Sequence, residues 1–379
     1  MPLMKILYLC TYYHRAMIFR DAMNSLEKLG NTILAFNAAV KGDKVSPKYM
    51  GIMDDKVIHS ECFSKLDRLF YYHKQKKFLK SLEEKIDVSK FDLIHSHTLL
   101  NGGWVALYIK RKLGIPYVVS VRDTDLNVFL KLPFFKPIAK KIIMNASGIL
   151  FLSSSYRRAL IRKFESDNEV KDKIRISSVI IPNAVEDFWL ENIADSPKRH
   201  YGKTISILSV GKINKNKNMI SVVKAMKILK SKGIDAKCTI IGQVISEKVM
   251  EELKAQDNVT IVDYLTKEEL IRYYKANDIF VLPSFHESFG RVYAEAMTQG
   301  MPVVFTKDQG FDGLYEQGHV GYAVIPDDIN EIADSIMKIM NNYEKISENC
   351  IVESRKYNWD TIGSQLDSFY HRCIGKEEV

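Results

Sequence analysis

The sequence has no apolar run long enough to cross a bilayer. A spanning helix needs ~18–20 consecutive apolar residues, and the best runs here, residues 6–10 and 117–121, have strand length. Cysteine is scarce. Five residues, Cys10, Cys62, Cys238, Cys350 and Cys373, are odd in number, scattered and without C-x-x-C spacing. That argues against a disulfide framework and a structural zinc site, and for reduced thiols. Short-period repeats and low-complexity tracts are absent, so fibrous and solenoid architectures are excluded. No G-x-G-x-x-G follows the first apolar run, which disfavours a nicotinamide dehydrogenase. The start, MPLMKILYLC, carries one lysine before a short apolar run and no small-residue cleavage site. It reads as a first strand instead of a secretory signal, and the expected compartment is the cytoplasm, either free or peripheral at the inner face of the cell membrane.

What is present is a chain of 379 residues, 46% hydrophobic, 11% aromatic and 27% charged. This is ordinary globular composition with enough apolar surface for more than one core, and the length suggests two domains. The formal net charge of +9 is uneven. Residues 1–200 hold 33 Lys and Arg against 21 Asp and Glu, whereas the remainder is slightly acidic. Between Asp125 and Glu165 there is no acid, while Lys131, Lys136, Lys140, Lys141, Arg157, Arg158, Arg162 and Lys163 alternate with Phe129, Leu132, Phe134, Phe135 and Ile138. Such a stretch, residues 126–164, fits an anionic membrane surface, an acidic acceptor, or simply a solvated helix face. Nucleic acid is disfavoured as a partner because the second half is acidic overall.

Short β-branched runs alternate with helical patterns in both halves. Strands are expected at residues 5–9, 32–36, 92–95, 117–121, 148–152 and 179–181, then at 205–210, 238–241, 259–262, 279–282, 302–305 and 322–325. Helices are expected at 221–232, 267–276 and 359–373, the last across the domain junction. The polar stretch 186–203, with Pro197, breaks the rhythm and reads as a linker. The expectation is an α/β protein with two doubly wound parallel-sheet domains, residues 1–185 completed by a helix at 359–379, and residues 204–358, with ligands in a cleft at the carboxyl ends of the strands.

The most informative segment is PSFHESFGRVYAEAMTQGMPVV, residues 283–304. It follows a buried run and opens a helix near Phe289, whose first amides have no partners within the helix and favour an anion. Gly290 permits close backbone approach. Glu287 stands before the helix and Glu295 about one and a half turns inside it, so two carboxylates can grip hydroxyls at separate points of an extended ligand. This arrangement, a carboxylate, seven residues and a second carboxylate within P-S-x-x-E-S-F-G-x-x-x-x-E-A-M-x-x-G-x-P-V-V, resembles the signature of the retaining family-4 glycosyltransferases (glycosyl transferases group 1) of GT-B fold, in which two Rossmann-like domains face across a cleft.

The resemblance implies that Glu287 contacts the donor sugar, that Glu295 holds the ribose hydroxyls, and that amides around Ser288, Phe289 and Gly290 meet sugar and phosphate. SVGKINKNKN resembles the family's G-[RK]-x-x-x-x-K element, placing Gly211, Lys212 and Lys217 at the diphosphate. Fixed cations there would stabilise the charge on the leaving group. His95 and His97 end a strand on one face, and the H-x-H resembles the family's acceptor side, with His97 in the cleft. A structural histidine is the alternative, and no further ligands support a metal. VVSVRDTDLN puts Arg122 where relatives commonly have the histidine of His-Gly-x-Asp, Asp123 at the glycine and Asp125 at the aspartate; Arg122 suits an anionic group. In IIPNAVE, Asn183 would lie near the diphosphate, with Ala184 replacing the usual glycine. The first βα turn lacks the relatives' glycine-rich loop, and Ile241-Gly242-Gln243 lacks a second glycine.

The expected activity is therefore a retaining, metal-independent hexosyltransferase without a resident cofactor. It would take a nucleotide-sugar as donor and a glycan or lipid-linked acceptor in bacterial polysaccharide or lipopolysaccharide assembly. The alternatives are a nucleotide-sugar epimerase or phosphorylase on the same scaffold, and a catalytically silent, membrane-recruited binding subunit.

Overall fold

The computed structural model describes residues 3–13, 17–43, 55–200 and 202–375. The chain forms two compact units: residues 1–152, 156–183 and 359–379, and residues 153–155 with 184–358. Among the described residues the first holds seven strands, β1 (Lys5–Cys10), β2 (Thr32–Val40), β3 (Val57–Phe63), β4 (Leu93–Ser96), β5 (Tyr117–Ser120), β6 (Gly148–Phe151) and β7 (Ser178–Ile180). Their order is β3-β2-β1-β4-β5-β6-β7, parallel throughout. Parallel strands need crossovers, supplied by α1 (Ile18–Lys28), α2 (Tyr71–Lys85), α3 (Gly103–Leu113), the short α4 (Asp123–Asn127), α5 (Phe135–Asn145), α6 (Ser154–Lys163) and α7 (Asn168–Ser177). Both sheet faces are thereby covered, which is why β1 and β4–β6 read as near-continuous apolar runs and bury Leu7, Leu9, Ile94, Val119 and Phe151 almost completely.

In the second unit α8 (Asp187–Glu191) precedes β8 (Thr204–Val210), α9 (Met219–Ser231), β9 (Asp235–Ile241), α10 (Glu247–Lys254), β10 (Val259–Val262), α11 (Lys267–Ala276), β11 (Ile279–Val281), α12 (Arg291–Thr298), β12 (Val303–Thr306), β13 (Gly321–Val324), α13 (Ile329–Asn341) and α14 (Tyr343–Ser354). Its six described strands, all parallel, run β10-β9-β8-β11-β12-β13. Helix α15 (Trp359–Cys373) returns to the first unit and packs on α1. Each sheet reverses its strand order once, at β1/β4 and at β8/β11, and the loops leaving these pairs are where doubly wound sheets bind ligands.

Two expectations need correction. Strand β3 was not foreseen, because VIHSECF lies at the sheet edge with a half-buried, partly polar pattern that carries little apolar signal. Residues 186–203 are not a free linker. They contain α8, whose Trp189 is buried beside Tyr274, and Lys198, whose ammonium donates to the carbonyls of Tyr274 (2.6 Å), Lys275 (2.9 Å) and Asn277. A cation satisfying the last carbonyls of α11 ties this stretch to the second unit.

Candidate active site

At the switch point of the second unit, β8 ends at Val210 and β11 at Val281. The loop after β8 turns through Gly211 (φ 155°), where a side chain at neighbouring Gly242 would place its Cβ 2.0 Å from the Gly211 carbonyl oxygen. Glycine at 242 is demanded by that close approach, and glycine at 211 is favoured by its backbone angle. The Asn214 side chain accepts from the Lys217 amide (3.0 Å), and Asn218 adopts the left-handed conformation (φ 53°) that asparagine tolerates. Asn216 stitches this loop to the one after β11: its carbonyl accepts from the Phe285 amide (2.8 Å), its side-chain oxygen from the His286 amide (3.1 Å), and its side-chain nitrogen donates to the His286 carbonyl (3.0 Å). The result is an ion pair, Lys217 Nζ to Glu287 Oε2 at 2.5 Å, with side chains only 19% and 12% exposed. Lys212 is exposed just beyond Gly211 and takes no part in this pair.

Glu287 is braced from behind, its amide donating to the Gln309 side chain (3.1 Å) and its carbonyl accepting from the Gly310 amide (3.0 Å). Helix α12 then begins after Gly290, whose left-handed φ of 77° and whose site, where a Cβ would lie 2.4 Å from the Tyr293 ring, both demand glycine. Ser288 is exposed, while the Phe289 ring is core, packed on Phe311 and Tyr357. Phe289 can therefore serve a ligand only through its backbone. Glu295 lies half-buried further along α12 with the Tyr274 hydroxyl at 3.5 Å. Burial pushes its carboxyl up to about 7 despite the opposing pull of Arg291, with Glu186 adding to the rise. An acidic pair bracketing a helix mouth, with a lysine on the first member, can hold a polyhydroxylated anion. The asparagines of KINKNKN and Gln309 were missed as site-building residues. Repeated Asn in a turn was the available signal for the former, and Gln309 had none.

The first unit separates its expected site residues. His95 is fully partnered, its Nδ1 with Tyr370 Oη (2.6 Å) and its Nε2 with Ser120 Oγ (2.8 Å), and burial holds its pKa down to about 3. His97, stacked on it at 4.0 Å, is buried with neither ring nitrogen bonded. Asp125 does not face an acceptor. It is fully buried, and its carboxylate accepts from the amides of Leu99 (3.0 Å), Leu100 (3.0 Å) and Arg122 (2.9 Å), knotting the loops after β4 and β5. Asp123 points elsewhere, accepting from Asn127 Nδ2 (2.6 Å), so the D-x-D forms no paired ligand set. Among the described residues, no three His, Cys, Asp or Glu side chains are grouped to hold a metal. Arg122 donates from Nε to the His97 carbonyl (3.4 Å), and Asn183 lines the same small cavity as Arg122 and His97.

The basic stretch 126–164 is less open than its sequence suggests. Ile138 and Phe135 are core, and Lys140 pairs with Asp167 (2.6 Å) and Glu169 (3.6 Å), acids lying just beyond the acid-free window. No helix among the described residues is long and apolar enough to cross a membrane.

Two family models match the chain: glycosyl transferases group 1 over residues 192–357, and glycosyltransferase family 4 over residues 26–186. A capsular polysaccharide biosynthesis glycosyltransferase, CapM, of Staphylococcus aureus is 26% identical over 86% of this chain and 84% of its own. Among solved structures, the lipopolysaccharide outer core galactosyltransferase WaaB superposes with a TM-score of 0.72 at 15% identity, over 97% of this chain and 99% of that one. Anabaena HepE in complex with UDP and glucose gives a TM-score of 0.67 at 16% identity, over 96% and 98%. With the two models together taking in most of its length, the chain belongs to the family-4 glycosyltransferases, glycosyl transferases group 1, and has their GT-B fold.

Proposed function

We propose that the second unit binds a nucleoside diphosphate sugar and passes the sugar, with retained anomeric configuration and without a metal ion, to a hydroxyl of a growing cell-surface glycan or lipid-linked saccharide. The observation that carries this reading is the largely buried pair Lys217–Glu287 at the β8/β11 switch point, ahead of the α12 mouth. Glu295 would accept from the ribose hydroxyls and Glu287 from the hexose, with the amides from Ser288 to Gly290 toward sugar and phosphate. The electron pair of the breaking bond from C1 to oxygen goes to the departing phosphate oxygen, where Lys217 and the exposed Lys212 offset the new charge. The acceptor oxygen bonds to C1 on the same face, and its proton goes to that phosphate oxygen. The relatives' names, capsular polysaccharide biosynthesis and lipopolysaccharide outer core, support a surface-glycan acceptor.

The same proposal includes docking of the first unit on an anionic lipid surface. It is supported by exposed Leu66, Leu69, Phe70, Tyr72, Leu132 and Phe134, with Lys65, Lys131 and Lys136 exposed among them. A ring contact joins these segments, Tyr71 to Phe135 at 5.3 Å, and Phe134 lies against Phe135 at 4.1 Å. Apolar side chains rimmed by lysine suit an acyl and headgroup boundary.

A thermal-shift panel of UDP, GDP, ADP and their sugar conjugates tests donor binding, and NMR of the product's anomeric centre tests retention. Stabilisation by at least one diphosphate and retained configuration are expected. No shift with any of them, or an inverted product, refutes the reading. Donor consumption without acceptor would mark an epimerase, dependence on free phosphate a phosphorylase, and binding without transfer to any extract a silent subunit.

A further inference from the structure

In the first unit, at the β1/β4 switch point, a cavity of about 40 Å³ is lined by Tyr8, Phe19, His97, Arg122, Asn183 and Trp359 among others. A water needs roughly 10–15 Å³ by the same measure, so there is room for one small polar group and not for a sugar ring. Three observations bear on its occupant. Both ring nitrogens of His97 are buried and unbonded, although the imidazole is fixed by edge contacts to Tyr8 (4.4 Å) and Phe19 (4.8 Å). Arg122 has no carboxylate within ion-pair distance among the described residues; the nearest acid, Asp125, attracts it from a distance but gives its oxygens to three amides. The walls are largely aromatic and apolar, so the half-buried Arg122 guanidinium, with one hydrogen bond to the His97 carbonyl, is incompletely solvated there.

We propose that this cavity is an oxyanion pocket, in which the Arg122 guanidinium, with one His97 ring N–H and the Asn183 amide, holds a phosphate or carboxylate group carried by the acceptor. The donor set is rich in N–H groups, and the one acid beside it, Asp125, already spends its oxygens on three amides, which favours an anion over a hydroxyl. Burial first, then His95 and Arg122, keeps His97 neutral, so it offers one donor and retains one acceptor for a neighbouring hydroxyl. That the anion belongs to an acceptor rests on the transferase reading above; the anion site itself does not.

The experiment uses the full chain. Long-range ¹H–¹⁵N spectra of the histidine rings are recorded with inorganic phosphate and, separately, with D-glucuronate, and His97 is assigned by its loss in His97→Gln. Saturable movement of the His97 nitrogens, with His95 unmoved, is expected with one of the two anions, and which one identifies the source. The response should persist in Lys217→Ala, which removes a donor-side cation, weaken at least tenfold in Arg122→Lys, and vanish in Arg122→Met. No movement of His97 with either anion in the wild-type protein means a pocket for water only and overturns the proposal. So does an unchanged response in Arg122→Met or, should that variant not fold, in Arg122→Lys. Failure of nucleotide binding with the His97 response intact would sink the donor reading and leave this one standing.

Discussion

Lys217 and Glu287, seventy residues apart in sequence, form a 2.5 Å ion pair with both side chains largely buried. The lysine proposed to meet the departing diphosphate is thus already held in place by the carboxylate proposed to meet the sugar. Lys217→Ala removes a cation whose stabilisation grows as the bond breaks, so turnover should fall by a factor of about 10² to 10³ while donor affinity changes far less. Steady-state kcat and direct donor binding check the split. A loss of donor affinity with kcat unchanged would show that Lys217 only binds.

Glu295 carries a pH signature. With its carboxyl pushed up to about 7 by burial, it is largely protonated in mildly acidic solution and loses its charge-assisted acceptor capacity. Donor affinity should weaken as pH falls through about 7, and Glu295→Gln should flatten that dependence. Stability runs the other way. A carboxyl whose pKa is raised on folding contributes its stabilisation in full below the unfolded value of 4.5 and loses it as pH rises through about 7. Donor titrations and denaturant unfolding at matched pH values measure the two trends, and parallel trends would contradict this assignment.

Asp125 is a fastener between the loops that carry His97 and Arg122. Asp125→Asn keeps the shape but replaces one acceptor oxygen by a donor facing backbone N–H groups. A cost of about 1–3 kcal/mol is expected from the amides left unsatisfied, read as a lower urea midpoint. An unchanged midpoint in the Asp125→Asn variant would deny the fastening role.

Membrane docking is checked by vesicle pelleting. Phe70→Ser with Phe134→Ser removes two exposed rings, 65% and 60% accessible, and should reduce partition onto anionic vesicles by at least tenfold with little effect on stability. Neutralising Lys131 and Lys136 should steepen the loss at low salt. Lys140→Gln should act through stability, since that cation is paired within the fold. Unchanged pelleting of the double serine variant removes the surface.

Much of this protein is legible residue by residue. Twelve of the thirteen described strands carry short apolar, β-branched runs, most of them buried between two helical layers, and the span from Pro283 to Val304 announces its helix mouth, its glycine turn and its two carboxylates. Strand β3 is the exception, because VIHSECF sets His, Ser and Glu among its apolar residues and leaves no continuous apolar run. Within the basic stretch 126–164 the pairing of Lys140 was not legible for a related reason: charge along the chain says nothing about acids that fold back upon it, as Asp167 and Glu169 do upon Lys140.

Sequence alone determined the periodicities, hence the twin parallel sheets, and the residue types at the strand ends, hence the family resemblance, because both are local properties of the chain. Tertiary structure alone decided which of two alternating histidines keeps free nitrogens, that Asp125 binds amides in place of a ligand, and that Lys217 rests on Glu287. Each of these depends on which strands become neighbours, and hydrogen-bond partners brought together by sheet order leave no periodic trace in the residues that supply them.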